Sequence, residues 1–102
     1  MDIINHDKLL ALYGSDETSL DIIHMFIDQS PKLINDIKLA VEEQNLEHLK
    51  MICHKGIGQS RYIAAVPIEQ ILTELPTTSA EKQAELITQL IEHINQIANA
   101  YQ

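Results

Sequence analysis

The sequence is poor in aromatic residues, glycine, proline and cysteine: its 102 residues include no Trp, one Phe, three Tyr, three Gly, three Pro and one Cys. So few turn-forming residues argue against a β fold with many turns. The single cysteine, Cys53, excludes an internal disulfide and fits a reducing compartment. No apolar run approaches the roughly 20 residues that a membrane-spanning helix needs. We therefore expect a cytoplasmic domain without direct membrane contact, whose parent chain could still be anchored in a membrane.

Positive charge is also scarce. Seven Lys and Arg stand against fifteen Asp and Glu, which gives a net charge of −8 and a pI of about 4.9. A nucleic-acid binder needs a basic face to neutralise phosphates, so we exclude that class of protein. The few basic residues are nevertheless clustered, because Lys50, Lys55 and Arg61 fall within twelve positions and residues 48–67 contain no Asp or Glu. The centre of this cluster is His54.

Several motifs for catalysis are missing. The sequence has neither a G-x-x-x-x-G-K-[ST] phosphate loop nor a G-x-G-x-x-G turn, so we predict no ATP site. No two of its five histidines are three or four residues apart, and we predict no metal site. Ser60 lies about 240° around a helix from His54, so the two do not face one another as a hydrolytic pair would.

The spacing of apolar residues predicts helices in the first two thirds of the chain. We expect a short helix over about residues 5–12, ending before Gly14. A long helix should begin at a cap formed by Ser15 or Asp16 and run to about residue 43, kinked by Pro31. Leu20 belongs to the apolar stripe predicted for it. Asn45 should cap a third helix that carries Leu46 on its apolar face and reaches about residue 62.

Two further helices are predicted in the last third. Pro67 suits the first turn of a fourth helix, and Pro76 should end it. Thr78 and Glu81 have the spacing of a capping box at the start of the last helix. Because the long helices have one-sided apolar stripes and short connectors, we predict an all-α fold. It is an antiparallel four-helix bundle with a short extra N-terminal helix, forming one domain over residues 1–102 whose core covers about 16–102.

The predicted third helix carries one histidine with unusual neighbours. At 100° per residue, Leu49 and Cys53 lie on its apolar face, whereas His54 lies off that face. The stripe of His54 holds three further residues: Lys50 at i−4, Gly58 at i+4 and Arg61 at i+7. Imidazole has an ordinary pKa near 6.5 and is a largely uncharged nucleophile at neutral pH. A reachable ring, nearby positive charge and space for a partner are what a phosphate-accepting histidine needs.

These residues resemble the histidine phosphotransfer (HPt) domain, the carrier of multistep two-component phosphorelays. The resemblance covers about residues 16–75. The run from Phe26 to Pro31 resembles a helix segment of the family with an aromatic residue, a polar patch and a proline. Leu49 stands five residues before His54, as the family pattern has it, and Gly58 matches the glycine four residues after the phosphorylated histidine.

Two departures from the family pattern concern the phosphate. Ile57 replaces the usual cation three residues after the histidine, and Lys50, Lys55 or Arg61 could replace that charge. Ala64 replaces the glycine usual about ten residues after the histidine, which we take as a mild change. By its place in the sequence, Gln29 resembles a family glutamine that hydrogen-bonds the imidazole, and it could equally be a solvated side chain.

A second register of the family pattern is possible. It aligns Lys55 and Gly56 with the usual Lys-Gly pair, which places Ile52 at the histidine position and would make this chain an inactive carrier. That register loses the spacing between Leu49 and the histidine and leaves the off-core histidine unexplained. We therefore prefer the register of His54.

The resemblance implies a phosphocarrier without an ATP site or kinase activity of its own. His54 would take a phosphoryl group from an aspartyl-phosphate of one receiver domain and pass it to the Asp of another, in a response regulator or a hybrid kinase. No cofactor is expected in this domain, because the Mg²⁺ would belong to the receiver. The expected docking residues around the histidine are Met25, Met51, Gly58 and Tyr62.

Several alternatives stay open at this point. The domain could stand alone or form the C-terminal part of a hybrid sensor histidine kinase, and we expect a monomer. Loss of the cation at Ile57 would also suit a module that docks a receiver or kinase without carrying phosphate. In a structural bundle without any relay role, His54 would be merely a residue at the core boundary.

Overall fold

The chain folds entirely into helices and their connections over residues 3–101, the part that a computed structural model describes. This confirms the predicted all-α class. The elements are α1 (His6–Tyr13), α2 (Asp16–Glu42), α3 (Leu46–Tyr62), α4 (Val66–Glu74), a 3₁₀ turn (Leu75–Thr77) and α5 (Ala80–Ala100).

The four longer helices form a closed ring around one core. Helix α3 packs between α2 and α4, and α5 closes the ring by contacting both α4 and α2. The molecule measures 42 × 21 × 19 Å, and its long axis matches the roughly 40 Å length of a 27-residue helix such as α2. Because the connectors are short, successive helices run antiparallel, as predicted.

Helix α1 lies against α2 and covers the end of the bundle where α3 finishes. Two hydrogen bonds attach it there. The backbone N–H of Asn5 donates to the carbonyl of Ala64 at 3.0 Å, and the hydroxyl of Tyr13 donates to the carbonyl of Tyr62 at 2.6 Å. Leu9 is buried beneath them. Residues at the two ends of α1 thus hold the end of α3 and the connection that follows it.

The helix starts follow local capping chemistry. Ser15 and Asn45 cap α2 and α3, each with a side-chain oxygen that accepts from the backbone N–H three residues on. The cap predicted for the last helix was wrong by one residue. Ser79, not Thr78, accepts from the backbone N–H of Lys82, because α5 begins at Ala80.

Pro31 lies inside α2, which continues as one helix to Glu42. A proline in a helix removes the backbone donor that the carbonyl four residues earlier would receive, here that of Ile27. The hydroxyl of Ser30 donates to that carbonyl at 2.7 Å. A neighbouring side chain therefore replaces the missing bond, which explains how the apolar stripe of α2 keeps its phase through the proline.

The core consists mainly of Ile and Leu from all four helices of the ring. Two residues predicted for apolar stripes are exposed instead: Leu20 near the start of α2 and Leu46 at the first position of α3. Leu20 is the fifth residue of α2 and Leu46 is the first residue of α3. No helix within residues 3–101 is long and apolar enough to cross a bilayer.

Candidate functional site

Helix α3 has a buried face and an exposed face, and His54 lies on the exposed one. The side chains of Leu49, Ile52 and Cys53 are buried, whereas His54 is exposed. Its ring makes no hydrogen bond to any residue within 3–101, so both ring nitrogens are available to react. Ile52 is only 9% exposed. A group at that position could not receive a phosphoryl group, which argues for the register of His54.

Two glycines of α3 differ in their surroundings. A β carbon at Gly56 would lie 2.9 Å from Cδ1 of Leu72 and 3.1 Å from Cδ1 of Leu33, so this glycine lets three helices pack closely. A β carbon at Gly58 would find nothing within 4 Å. Packing therefore explains Gly56 but not Gly58, and Gly58 leaves open space one helical turn from His54.

The three basic residues around His54 are not equivalent. Lys50 and Lys55 are exposed, and neither forms an ion pair within residues 3–101. Arg61 is bound: its Nε donates to Oε1 of Glu69 on α4 at 2.6 Å. Ile57, at the position where the resemblance expects a cation, is half-buried and packs against the core. Positive charge near His54 thus comes from two free lysines and one tethered arginine.

Gln29 does not bond to His54, as the sequence suggested that it could. Its Oε1 accepts a hydrogen bond from Nε2 of Gln59 at 3.2 Å, which joins α2 to α3. Positions 54 and 59 lie about 140° apart on a helix, and the α2 side of α3 is the side of Gln59. Gln29 consequently bridges the groove between α2 and α3 rather than orienting the imidazole.

The predicted docking side chains are exposed and lie on α2 and α3. Met25 on α2 is 55% exposed, and Met51 and Tyr62 on α3 are 70% and 66% exposed. A mostly apolar depression of about 180 Å³ lies between the helices, with Met25, Phe26 and Tyr62 among its walls. Met51 and Tyr62 lie within about 20° of one another around α3, on the stripe next to that of His54 and Gly58. The structure thus brings Met25 and Tyr62 together at the groove, whereas Met51 lies nearer to His54 along α3.

The other histidines have different environments. Those of α1 and α2, His6 and His24, both contact Tyr101 near the end of the chain, His24 through its Nε2 and the Tyr101 carbonyl at 2.6 Å. His93 has a buried Nδ1 without a hydrogen-bond partner in the described part of the chain. His48 is exposed at the start of α3, but the residue four positions on is the buried Ile52. Only His54 combines exposure with a neighbouring open glycine.

Chemistry at other groups is limited. Burial raises the pKa of the Cys53 thiol to about 11, so this cysteine is a weak nucleophile compared with the exposed imidazole of His54. Within residues 3–101, no three His, Cys, Asp or Glu side chains are grouped to hold a metal ion. The exposed imidazole is therefore the nucleophile that the site offers.

Sequence reasoning missed two features near the site. Glu69 binds Arg61 from the neighbouring helix, and only the hairpin geometry of α3 and α4 brings the two together. Ala64 has a positive φ of 53°, a left-handed conformation in which glycine is free of strain. The replacement of the family glycine by Ala64 is therefore not mild, because it leaves a strained residue two positions after the end of α3.

Comparison with known proteins addresses the family directly. Neither curated proteins nor solved structures yield a match to the chain. The family model described as the Hpt domain matches residues 21–100, which include all of α3, α4 and α5 and most of α2. A match over most of the length, on a helical bundle with an exposed histidine in its second long helix, identifies the chain as a member of the Hpt domain family.

Proposed function

We propose that His54 is the phosphate carrier of this Hpt domain, taking a phosphoryl group from an aspartyl-phosphate of one receiver domain and giving it to the Asp of another. The family supports a role in histidine phosphotransfer in general. The observation that carries the assignment to His54 is its exposure beside the empty space at Gly58, while Ile52 is buried.

The transfer needs little from this domain beyond an accessible ring. The lone pair of an unprotonated imidazole nitrogen attacks phosphorus, the bond between phosphorus and the receiver's carboxylate oxygen breaks, and the carboxylate leaves. A second receiver Asp reverses these steps, which regenerates the free imidazole. The Mg²⁺ that neutralises charge on the moving group would be held by the receiver.

Positive charge around His54 would assist this transfer. Lys50 lies one turn before His54 and Lys55 directly after it, and both ammonium groups are free in the described part of the chain. They can attract the phosphoryl group and an acidic receiver site, which partly replaces the cation lost at Ile57. We assign them supporting roles, whereas Gln29 has a structural role in the groove.

Docking would use the exposed apolar surface beside the histidine. Met25, Met51 and Tyr62 present flexible or flat apolar side chains, which suit a surface that must meet more than one receiver. Gly58 leaves the backbone of α3 bare between them, so a partner can approach the ring closely. We expect the domain to act as a monomer, since one such face serves one receiver at a time.

The deciding experiment is phosphotransfer from a phosphorylated receiver domain to the wild type, His54→Gln and His48→Gln. His48 is the matched control, because it is an exposed histidine on the same helix. We expect label on the wild type and His48→Gln but not on His54→Gln, and the label should be acid-labile and base-stable. Label that survives in His54→Gln would contradict the assignment.

A docking module that carries no phosphate is the second candidate. Ile57, where the family has a cation, is the observation that favours it. It predicts that receivers bind the wild type and His54→Gln equally, with no phosphate on either protein. Binding titrations on the same variants distinguish the two functions.

A further inference from the structure

We propose that Glu69 is a positioning residue, which holds Arg61 so that the terminal nitrogens of its guanidinium bind the phosphoryl group on His54. This inference rests on the proposed function of His54. It gives Arg61 the charge-balancing role that Ile57 cannot fill, and it gives a role to Glu69, an acidic residue that would otherwise repel phosphate.

The contact between the two residues leaves the useful part of Arg61 free. Only its Nε is engaged, with Oε1 of Glu69 at 2.6 Å. The two terminal nitrogens have no hydrogen-bond partner within residues 3–101. These nitrogens form the planar fork that binds phosphate through two parallel hydrogen bonds. A carboxylate on Nε thus orders a long side chain without occupying the phosphate-binding end.

The position of Glu69 along the bundle directs Arg61 towards His54. Helix α4 runs back along α3, because Leu72 contacts Gly56 whereas Ala65 bonds to the carbonyl of Ser60. Glu69 precedes Leu72 by three residues, so it lies level with about residue 59 of α3. The guanidinium is therefore drawn from position 61 back along the helix, in the direction that helical side chains already lean.

The intervening surface is open. His54 and Arg61 lie within about 20° of one another around α3 and about 10 Å apart along its axis, a gap that the two extended side chains can span. Gly58 lies between them and has nothing near its missing β carbon. The Arg61 side chain is 69% exposed and that of Glu69 is 28% exposed. The arginine can therefore change its conformation while the partly buried Glu69 stays in place.

The test uses phosphoramidate, a small anionic donor that removes receiver docking from the measurement. An imidazole nitrogen attacks its phosphorus, the P–N bond of the donor breaks, and ammonia leaves. We would measure the rate of labelling of His54 in the full chain for wild type, Arg61→Gln, Glu69→Ala and the double variant. Glu85→Gln is the control, because Glu85 forms a similarly exposed ion pair with Lys82 on α5, at 3.5 Å.

We expect Arg61→Gln to lower the labelling rate about two- to fivefold, the range for one exposed charged contact. Glu69→Ala should lower it in the Arg61 background but not in the Arg61→Gln background, where it only removes a repelling charge. Glu85→Gln should match the wild type. In the wild type, labelling of His54 should also shift the NMR signal of the Arg61 Nε–H group.

Three results would overturn the inference. Faster or unchanged labelling in Glu69→Ala, with slower labelling in Arg61→Gln, would mean that Glu69 withholds the arginine or is irrelevant to it. Equal slowing by Glu69→Ala in both backgrounds would mean that Glu69 acts without Arg61. Absence of label on His54 of the wild type from both phosphoramidate and a phosphorylated receiver would instead remove the proposed function itself, so the two failures remain distinguishable.

Discussion

Gly56 and Gly58 stand two residues apart on α3 and differ in the space beside them: a β carbon at Gly56 would meet Leu33 and Leu72, whereas one at Gly58 would meet no described residue within 4 Å. Helical glycine costs about 1 kcal/mol relative to alanine. At Gly56 close packing of three helices compensates for this cost. At Gly58 no contact within residues 3–101 does so, which agrees with the proposed need for access to His54.

Alanine at these two positions should have effects of opposite sign on stability. Gly58→Ala should raise the free energy of unfolding by up to about 1 kcal/mol, because the helix gains propensity and nothing is displaced. Gly56→Ala should lower it by about 1 kcal/mol, because the new methyl group must push leucine side chains in a filled core. Urea denaturation of the two variants measures both values, and changes of the same sign would contradict this account.

A long side chain at Gly58 should block the partner but not the chemistry. In Gly58→Gln we expect transfer from a receiver domain to fall about tenfold or more, because docking at the required distance is lost. Labelling by phosphoramidate should stay near the wild-type rate, since a small donor can still reach the ring. Equal loss with both donors would show that Gly58 affects the histidine itself.

The apolar face should determine affinity for receivers. We expect Met25→Ser and Tyr62→Ser each to weaken receiver binding about five- to tenfold, as loss of one buried apolar anchor does. Leu39→Ser is the control, because Leu39 is 50% exposed on the same helix as Met25 and lies about 21 Å away along it. Isothermal titration with one receiver domain compares the three. A similar loss in Leu39→Ser would remove the case for this face.

Two residues carry left-handed backbone that glycine would relieve. Gln44 after α2 has φ 55° and Ala64 after α3 has φ 53°. Gln44→Gly and Ala64→Gly should each raise the free energy of unfolding by about 0.5–1 kcal/mol, the strain removed less the added freedom of the unfolded chain. In Ala84→Gly, within α5, the same type of change should lower it by about 1 kcal/mol. Thermal unfolding followed by circular dichroism tests the contrast.

Cys53 should be protected from alkylation. Burial raises its thiol pKa from about 9 to about 11, so the thiolate fraction at pH 8 falls about a hundredfold on folding. The same shift makes folding less favourable as pH rises from about 9 towards 11, because the unfolded chain loses its proton first. Iodoacetamide labelling with and without denaturant measures the protection. Rapid labelling of the folded protein would place the thiol at the surface.

Local chemistry predicted most of the fold. Helix starts at Ser15 and Asn45 follow from side chains that bond to backbone N–H groups a few residues away, so a sequence window contains the cause. The choice between Thr78 and Ser79 was missed because both can cap, and only the packing of α5 decides where the helix begins. Burial of Leu49 and Cys53 and exposure of His54 followed from helical spacing alone.

Features that depend on two helices were harder to foresee. The partner of Gln29 depends on which residue of α3 faces α2, and Gln59 and His54 lie about 140° apart on that helix. Contact between Arg61 and Glu69 depends on how α4 folds back on α3. The positive φ of Ala64 follows from the tight connection between these helices, since nothing in the residue itself indicates a left-handed conformation.

The open surface at Gly58 gives access to water as well as to a receiver domain. In the proposed function, a phosphoryl group on His54 would contact Arg61 but remain open to water on the side of Gly58, so hydrolysis would compete with transfer. The fraction of phosphoryl groups that reaches a second receiver would then depend on how soon that receiver binds. It would therefore depend on the abundance of the receivers as much as on their affinity.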